Sequence, residues 1–192
     1  MVLSPSPAKL NLGCGTFKKA GYVNVDNNRL VSPEVVWDLG VFPYPFPNNH
    51  FDVVEADHVV EHLENPFAVM KEIHRILKNN GELVMRVPHF SRGFTHADHK
   101  RGFDVTFPLY FNPAFQGGYM GVSFRLTKMR LKWFAQPYLA KTVLPAPLYY
   151  MGLSAGAVLD FFANISPMLC SRLWCFWVGG FEEIEVHLHA VK

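Results

Sequence analysis

Five short runs of mostly apolar residues are the feature of the first 90 residues that most restricts the fold. They are rich in β-branched residues and lack strict alternation, which is typical of parallel strands covered on both faces. A stretch with helical period lies between the last two runs, and strands that alternate with helices predict an open α/β sheet. The runs read AKLNL, YVNVD, EVVWDL, FDVVEA and GELVMRVP.

The predicted helix lies in NPFAVMKEIHRILKNNG. Asn65 is suited to the N-cap, Pro66 to the first helical position and Gly81 to the C-terminal end. The residues at helical spacing that predict a stripe packed on the core are Phe67, Met70, Ile73 and Leu77.

A glycine loop, Gly13-Cys14-Gly15, follows the first run. The two glycines allow a tight turn and a close approach of backbone to a ligand. Asp26 comes 11 residues after Gly15, whereas a dinucleotide fold places its acid about 20 residues on, after a full helix. Lys18 also occupies the place of the third small residue of such a fingerprint, so the loop is poorly suited to pyrophosphate. Taken alone, the loop is equally a tight turn after a strand.

Two acidic residues stand at the ends of predicted strands. Asp26 ends the second run, where a carboxylate can accept hydrogen bonds from both hydroxyls of a ribose. Asp38 ends the third run and precedes Leu39, where an acid can accept from an adenine amino group. Either carboxylate is alternatively a cap or a solvated loop end. Ligands of open α/β sheets bind beyond the carboxyl ends of the strands, so we expect the loop and both acids in one place.

Four motifs in order resemble the class I S-adenosylmethionine-dependent methyltransferases: LNLGCG, VNVD, WDLGVFPYPFPNNHFDVVEADHVVEHL and MKEIHRILKNNGELVMRVP. The resemblance covers residues 9–90 and the final strand at 181–192. It is nearest to small bacterial and archaeal members with a compressed first helix; TFKKAGY has room for about two helical turns at most. It implies a three-layer, Rossmann-like, seven-stranded and mostly parallel sheet with one antiparallel strand. It also implies one domain over residues 1–192, with a lid and an apolar helical segment inserted at 90–176.

The resemblance implies S-adenosyl-L-methionine as the cofactor and assigns residues to its parts. The cofactor-binding candidates are Gly13, Cys14, Gly15, Asp26, Asp38, Leu39, Ala56, Asp57 and His58. In this assignment Asp26 holds the ribose hydroxyls, Asp38 and Leu39 flank the adenine, and residues 56–58 lie near the methionine part or the transferred methyl group. Glu61 and His62 are expected to pack rather than react.

A histidine-rich segment, PHFSRGFTHADHKRGF, follows the fifth run. We predict an acceptor-binding lid in which one histidine acts as a base, because the pKa of histidine lies near neutrality. A hydroxyl acceptor needs such a base and a carboxylate does not. The catalytic candidates are His89, His96 and His99, with Asp98 and Asp104 nearby. A metal site at 96–99 and a purely structural cluster are alternatives; no metal is predicted.

The tract 143–176 is apolar beyond what one such domain needs, in a chain that is 49% hydrophobic and only 18% charged. An aspartate at mid-bilayer, here Asp160, costs about 2.5–3.5 kcal/mol, which argues against a spanning helix. We expect one or two helices whose outer face is covered by a second subunit or touches a membrane. A homodimer is preferred because the tract lacks the Lys/Arg-rich face of an interfacial helix; a core helix is the third alternative.

Net charge bears on nucleic-acid binding, and cysteine content bears on cellular location. A net charge of +2 is too small to predict nucleic-acid binding. The three widely spaced cysteines indicate reduced thiols, and the N-terminus lacks a signal pattern, so a cytoplasmic location is expected.

The favoured function is methyl transfer to a small-molecule, saccharide or lipid-linked acceptor, at a hydroxyl or carboxyl oxygen. A nucleotide-dependent oxidoreductase and a non-catalytic adenosylmethionine-binding or scaffold protein are the alternatives.

Overall fold

One seven-stranded sheet forms the centre of the computed structural model, which describes residues 8–92 and 96–192. The strands are β1 (Lys9–Leu12), β2 (Val23–Asp26), β3 (Val35–Val36), β4 (Phe51–Asp57), β5 (Leu77–Pro88), β6 (Ser123–Lys132) and β7 (Glu183–Val191). Their order is β3-β2-β1-β4-β5-β7-β6. Only β7 is reversed, pairing antiparallel with both β5 and β6. The predicted α/β fold class is confirmed.

The strand β6 was not predicted, and it lies inside the segment 90–176 that the sequence assigned to a lid and apolar helices. β6 is an edge strand whose register shifts between Leu126 and Lys128. Such a bulge breaks the alternation that identifies a strand in sequence. The third predicted strand is also shorter than expected, because only Val35–Val36 pairs with β2. Asp38 therefore lies in a turn beyond β3 rather than at its end.

The helix α1 spans Pro66–Ile76 and begins as predicted, with the Asn65 side chain accepting a hydrogen bond from the backbone N–H of Ala68. It does not extend to Gly81. Leu77 is extended, with φ −68° and ψ 145°, and starts β5. Leu77 is still buried, but as a strand residue.

The connection between β1 and β2, which the structure describes in full, contains no helical turn. The sequence left room for about two turns there. A buried amide holds the connection instead. Asn24 Oδ1 accepts from Asn11 Nδ2 and from the backbone N–H of Lys19, both at 2.8 Å. The backbone N–H of Cys14 donates to Val25 O at 3.0 Å. These bonds fix the glycine loop against β2 without a helix.

The apolar tract forms α2 (Pro137–Val143), α3 (Ala146–Ala163) and an irregular helical segment, Pro167–Val178. Asp160 faces inward and accepts from the backbone N–H of Trp133 at 2.7 Å. Asn164 exchanges two hydrogen bonds with Leu131, at 2.8 and 2.9 Å. The polar residues of the tract therefore anchor α3 to the end of β6.

Most large side chains of these helices are exposed, and we call this set of exposed side chains the apolar face. It includes Met151, Val158, Phe161, Phe162, Phe176 and Trp177. Within the described residues no single helix has both the length and the apolar character to cross a membrane. Only α3 together with Pro167–Val178, bent by 107°, meets both conditions.

Candidate active site

A large cavity of about 960 Å³ opens beyond the carboxyl ends of β1 and β4. The glycine loop forms one wall, and Asp57 and His58 form another. The loop 134–138 and the inner side of α3 close the remainder. The rings of Phe17 and Tyr138 lie 5.3 Å apart and join the glycine loop to α2. The cavity is therefore bounded on one side by the sheet edge where ligands of this architecture bind and on the other by α3.

The glycine loop requires glycine for two separate reasons. Gly13 has φ +61°, and a Cβ there would lie 2.3 Å from Val59 Cγ2. Gly15 has φ +48° and open space around it. Cys14, between them, is buried, and burial together with the Asp26 carboxylate raises the pKa of its thiol. Cys14 is therefore poorly suited to act as a nucleophile.

Asp26 lies directly against this loop. Its Oδ2 accepts from the backbone N–H of Gly15 and its Oδ1 from that of Asn28, both at 2.8 Å. Each carboxylate oxygen has a further lone pair free for a ligand.

Asp38 is exposed and accepts from the backbone N–H of Gly40 at 2.8 Å, as a turn residue does. Leu39 is buried, and its carbonyl accepts from the Tyr44 hydroxyl at 3.0 Å. The structure thus brings five of the nine cofactor candidates to the large cavity: Gly13, Cys14, Gly15, Asp57 and His58. The other four do not line it: Asp26, Asp38, Leu39 and Ala56.

Asp57 lies between two cations at the floor of the cavity. Its Oδ2 is 2.8 Å from Lys19 Nζ, and its Oδ1 is 2.5 Å from Arg86 Nη1. Burial alone would raise the pKa of this carboxyl, but the two cations lower it. Lys19 also pairs with Glu55 at 2.6 Å.

His58 stands at the boundary of the large cavity and a second one. It adopts φ +50°, a conformation that is rare for residues other than glycine. Its Nε2 lies 2.8 Å from Glu183 Oε2 and its Nδ1 3.2 Å from Glu61 Oε1. Burial opposes the charged ring, but the hydrogen bonds to the two carboxylates raise the pKa of His58 to about 9. His58 is thus an imidazolium near neutral pH.

The second cavity, of about 540 Å³, is the histidine cavity. It is lined by four histidines: His58, His62, His96 and His99. The rings of His96 and His99 stack at 4.7 Å between centroids, and His62 lies 5.0 Å from His99. Phe134, Ala135 and Gln136 line both cavities, so the two share a wall.

His89 is not part of this cluster. Its side chain is fully buried and lines neither cavity. Nδ1 lies 2.6 Å from Ser91 Oγ, and Nε2 lies 3.0 Å from Ser171 Oγ. Burial lowers the pKa of His89 to about 4. Among the three predicted catalytic histidines, the structure places only His96 and His99 together at a cavity.

Comparison with known proteins agrees with this geometry. Residues 19–85 match the sequence profile of the family described as "Methyltransferase domain". A comparison with curated protein sequences gives no significant match. A methyltransferase from Archaeoglobus fulgidus, described as SAM dependent, has a TM-score of 0.57 at 16% identity, covering 95% of this chain and 86% of that one.

Two further solved structures are similar over nearly the whole chain. A putative methyltransferase from Bacillus halodurans has a TM-score of 0.58 at 15% identity, covering 100% of this chain and 95% of that one. The [4+2]-cyclase SpnF has a TM-score of 0.60 at 15% identity, covering 99% of this chain and 76% of that one. At these identities the structural likeness establishes the fold, and the profile match relates residues 19–85 to the methyltransferase family.

The chain has the fold of the class I S-adenosylmethionine-dependent methyltransferases, and its residues 19–85 match the methyltransferase family.

The site beside the glycine loop is better suited to S-adenosylmethionine than to a nucleoside diphosphate. The cofactor carries one ribose, a sulfonium and no phosphate. In the described connection between β1 and β2 no helix directs its N-terminus at the loop, and such a helix is what an anionic phosphate needs. Asp26 places a carboxylate directly against the loop, where it accepts from the backbone N–H of Gly15.

Sequence reasoning did not assign two parts of the lining of the large cavity, Lys19 and the residues 134–138. Glu61, which was expected to pack, is fully buried and lies 3.8 Å from His99, and His62 lines the histidine cavity; whether either reacts stays a prediction. The EH pair directly after β4 was the available signal. Nothing in the local sequence around residue 136 indicates that it covers the glycine loop.

Proposed function

We propose that this chain is an S-adenosylmethionine-dependent methyltransferase that transfers the methyl group to an oxygen atom of a small-molecule acceptor, a hydroxyl or carboxylate on a saccharide or lipid-linked compound. One observation carries the proposal: the large cavity and the histidine cavity share a wall formed by His58 and the loop 134–136. The two cavities therefore adjoin, so that a donor in one and an acceptor in the other can be aligned where they meet at His58 and 134–136, and an in-line transfer depends mainly on such alignment.

In this proposal the cofactor lies beyond the strand ends, with the roles that the sequence suggested. The glycine loop borders its methionine and ribose parts, Asp26 accepts from the ribose hydroxyls, and Asp38 and Leu39 flank the adenine. Ala56, Asp57 and His58 lie near the methionine part. S-adenosylmethionine supplies an electrophilic methyl carbon whose bonding electrons pass to sulfur on transfer.

The proton of a hydroxyl acceptor goes to a histidine in this proposal, and two candidates remain. His58 is already protonated near neutral pH, and His89 lines neither the large cavity nor the histidine cavity. His96 and His99 line the histidine cavity and are the proposed bases. A carboxylate acceptor releases no proton, and for it the same histidines hold the anion in place.

Binding of the donor is the first test. Calorimetry on the purified chain is expected to show binding of S-adenosylmethionine and S-adenosylhomocysteine and none of NAD. Binding of NAD without binding of S-adenosylmethionine would favour the oxidoreductase alternative.

Methyl transfer is tested separately. A mass-spectrometric screen with the donor and pooled hydroxyl and carboxyl metabolites is expected to find a product heavier by one methylene unit. With an acceptor in hand, His96→Gln or His99→Gln is expected to change the dependence of rate on pH. If both variants keep the parent's pH profile, neither histidine is the base. Donor binding without any product would favour the non-catalytic alternative.

We further propose that a second copy of the chain covers the apolar face, as the sequence predicts. Charge supports a protein partner over an anionic lipid surface. Arg172, one of the two basic residues within or beside the tract, is already paired with Asp104 at 2.6 Å, which leaves Lys141. Cytoplasmic location stays a prediction; it is supported by Cys14, Cys170 and Cys175, all buried and free of disulfides.

A further inference from the structure

We propose that Glu61, His62 and His99 form a binding site for one divalent transition-metal ion of the zinc type, at the wall of the histidine cavity. The metal set that the sequence offered was 96–99. The structure brings a different set of ligands together, because the turn after β4 contacts the segment after β5. The binding itself is independent of the proposed function; only its suggested role depends on that function.

The three side chains converge closely enough for one ion. One ligand atom from each lies within 4.8 Å of the other two. Zinc–ligand bonds of about 2.0–2.2 Å in a tetrahedral site place neighbouring ligand atoms roughly 3.3–3.6 Å apart. Small rotations of the side chains, which move the ligand atoms by about 1 Å, would therefore bring them to zinc-binding distances. The two segments are already fastened together, since the backbone N–H of Lys100 donates to Glu61 O at 3.0 Å.

Glu61 provides the strongest sign of a missing ligand. Its side chain is fully buried, and Oε2 has no hydrogen-bond partner within the described part of the chain. Oε1 faces His58 Nδ1 at 3.2 Å and His99 Nε2 at 3.8 Å. Leaving a buried carboxylate oxygen without a partner destabilises the folded chain. An ion bound by both oxygens of the Glu61 carboxylate would give Oε2 a partner while Oε1 faces His99.

The surroundings of His62 and Glu61 resemble the outer shell of a metal site. His62 Nδ1 lies 3.1 Å from Asp98 O. A carbonyl only accepts, so Nδ1 carries the proton and Nε2 keeps its lone pair for a ligand. His58 Nδ1 contacts Glu61 Oε1, and His58 Nε2 lies 2.8 Å from Glu183 Oε2. Outer partners of this kind orient metal-binding side chains in known sites.

Two imidazoles and one carboxylate are a donor set typical of zinc with a fourth position open. The open position would face the histidine cavity, where His96 stacks on His99. If the proposed function holds, an ion there binds an oxygen of the acceptor and lowers its pKa. Such an acceptor would be an oxygen ligand for zinc, such as a hydroxyl beside a carboxylate.

The test measures metal directly. The full chain is stripped with EDTA, dialysed against Zn²⁺ or Co²⁺, and analysed by elemental mass spectrometry and by the visible absorption of bound Co²⁺. One ion per chain is expected. Glu61→Gln, His62→Ala and His99→Ala are each expected to weaken Zn²⁺ binding by at least about tenfold. His50→Ala is the matched control, because His50 is exposed and packs on Phe51 at the other end of β4.

Two outcomes would overturn the site: no stoichiometric Zn²⁺ or Co²⁺ in the wild-type chain, or affinities in His62→Ala and His99→Ala equal to that of His50→Ala. Circular dichroism checks folding of each variant. His99→Ala keeps the test valid if Glu61→Gln does not fold, since His99 lies outside the sheet. Calorimetry with S-adenosylmethionine on the same samples separates the two hypotheses. Donor binding without metal rejects the site alone, and metal without donor binding rejects the proposed function alone.

Discussion

Asp26 connects β2 to the glycine loop through hydrogen bonds from Gly15 and Asn28. If its free lone pairs accept from the ribose, Asp26→Ala should weaken binding of S-adenosylmethionine by about 1.5–3 kcal/mol, the range for hydrogen bonds to a charged group. Calorimetry measures the change. Asp52→Ala is the control, because Asp52 pairs with Lys78 at the amino end of β4, away from the cavity. An affinity unchanged in Asp26→Ala would mean that another group holds the ribose.

His89 makes a pH-dependent contribution to stability whose sign follows from burial. Its pKa is about 4 in the folded chain and about 6.5 when exposed. The unfolded chain therefore takes up a proton more readily, so stability is fully present above about pH 6.5 and declines as pH falls through 4. The loss attributable to this residue is expected to reach about 3 kcal/mol.

Urea unfolding between about pH 7 and pH 4 measures this effect. His89→Gln cannot titrate and should show a flatter dependence than the wild type over that range. Gln also offers an amide to Ser91 and Ser171, so the packing change is kept small. Parallel curves for the two proteins would contradict the buried, neutral state of His89.

At the scale of elements, the glycine loop shows how backbone geometry and packing act together. Both Gly13 and Gly21 have positive φ, but only Gly13 lies against a side chain, Val59. Alanine in this backbone conformation costs about 1–2 kcal/mol. Overpacking adds a further 1–3 kcal/mol or so at Gly13 alone.

Gly13→Ala should therefore lower the free energy of unfolding more than Gly21→Ala does, and it should also weaken donor binding. Chemical unfolding and calorimetry measure the two effects. Equal losses in the two variants would show that Val59 moves aside and that the close approach at Gly13 is not constrained.

At the scale of the molecule, the apolar face is the largest departure from an ordinary soluble surface. Phe161 and Trp177 are 68% and 82% exposed, and large exposed apolar patches usually mark an interaction site. If a second copy covers the face, light scattering should give a dimer for the wild type. Phe161→Lys with Trp177→Lys should give a monomer. Leu30→Lys, at a residue 92% exposed elsewhere, is the control and should leave the dimer intact.

Liposomes distinguish the remaining outcomes for this surface. A wild-type monomer that binds liposomes would assign the face to a membrane. A monomer that ignores liposomes would contradict any covering partner.

The sequence alone determined much of this protein because local signals carried it. The runs that became β1, β2, β4 and β5 could be read from residue type and spacing. The start of α1 could be read in the same way, because an Asn-Pro pair caps a helix through bonds within a few residues. The glycine loop and Asp26 were also found, since the chain connects them directly.

Only the tertiary structure decided which residues share a cavity. His89, His96 and His99 are neighbours in sequence, yet the first turns into the core and the other two meet His62 and Glu61 from the turn after β4. Likewise β6 was hidden by its bulge, and its place depends on β7, which comes last in the chain. Contacts between residues far apart in sequence depend on how the sheet is ordered, and no local pattern of residue types contains that information.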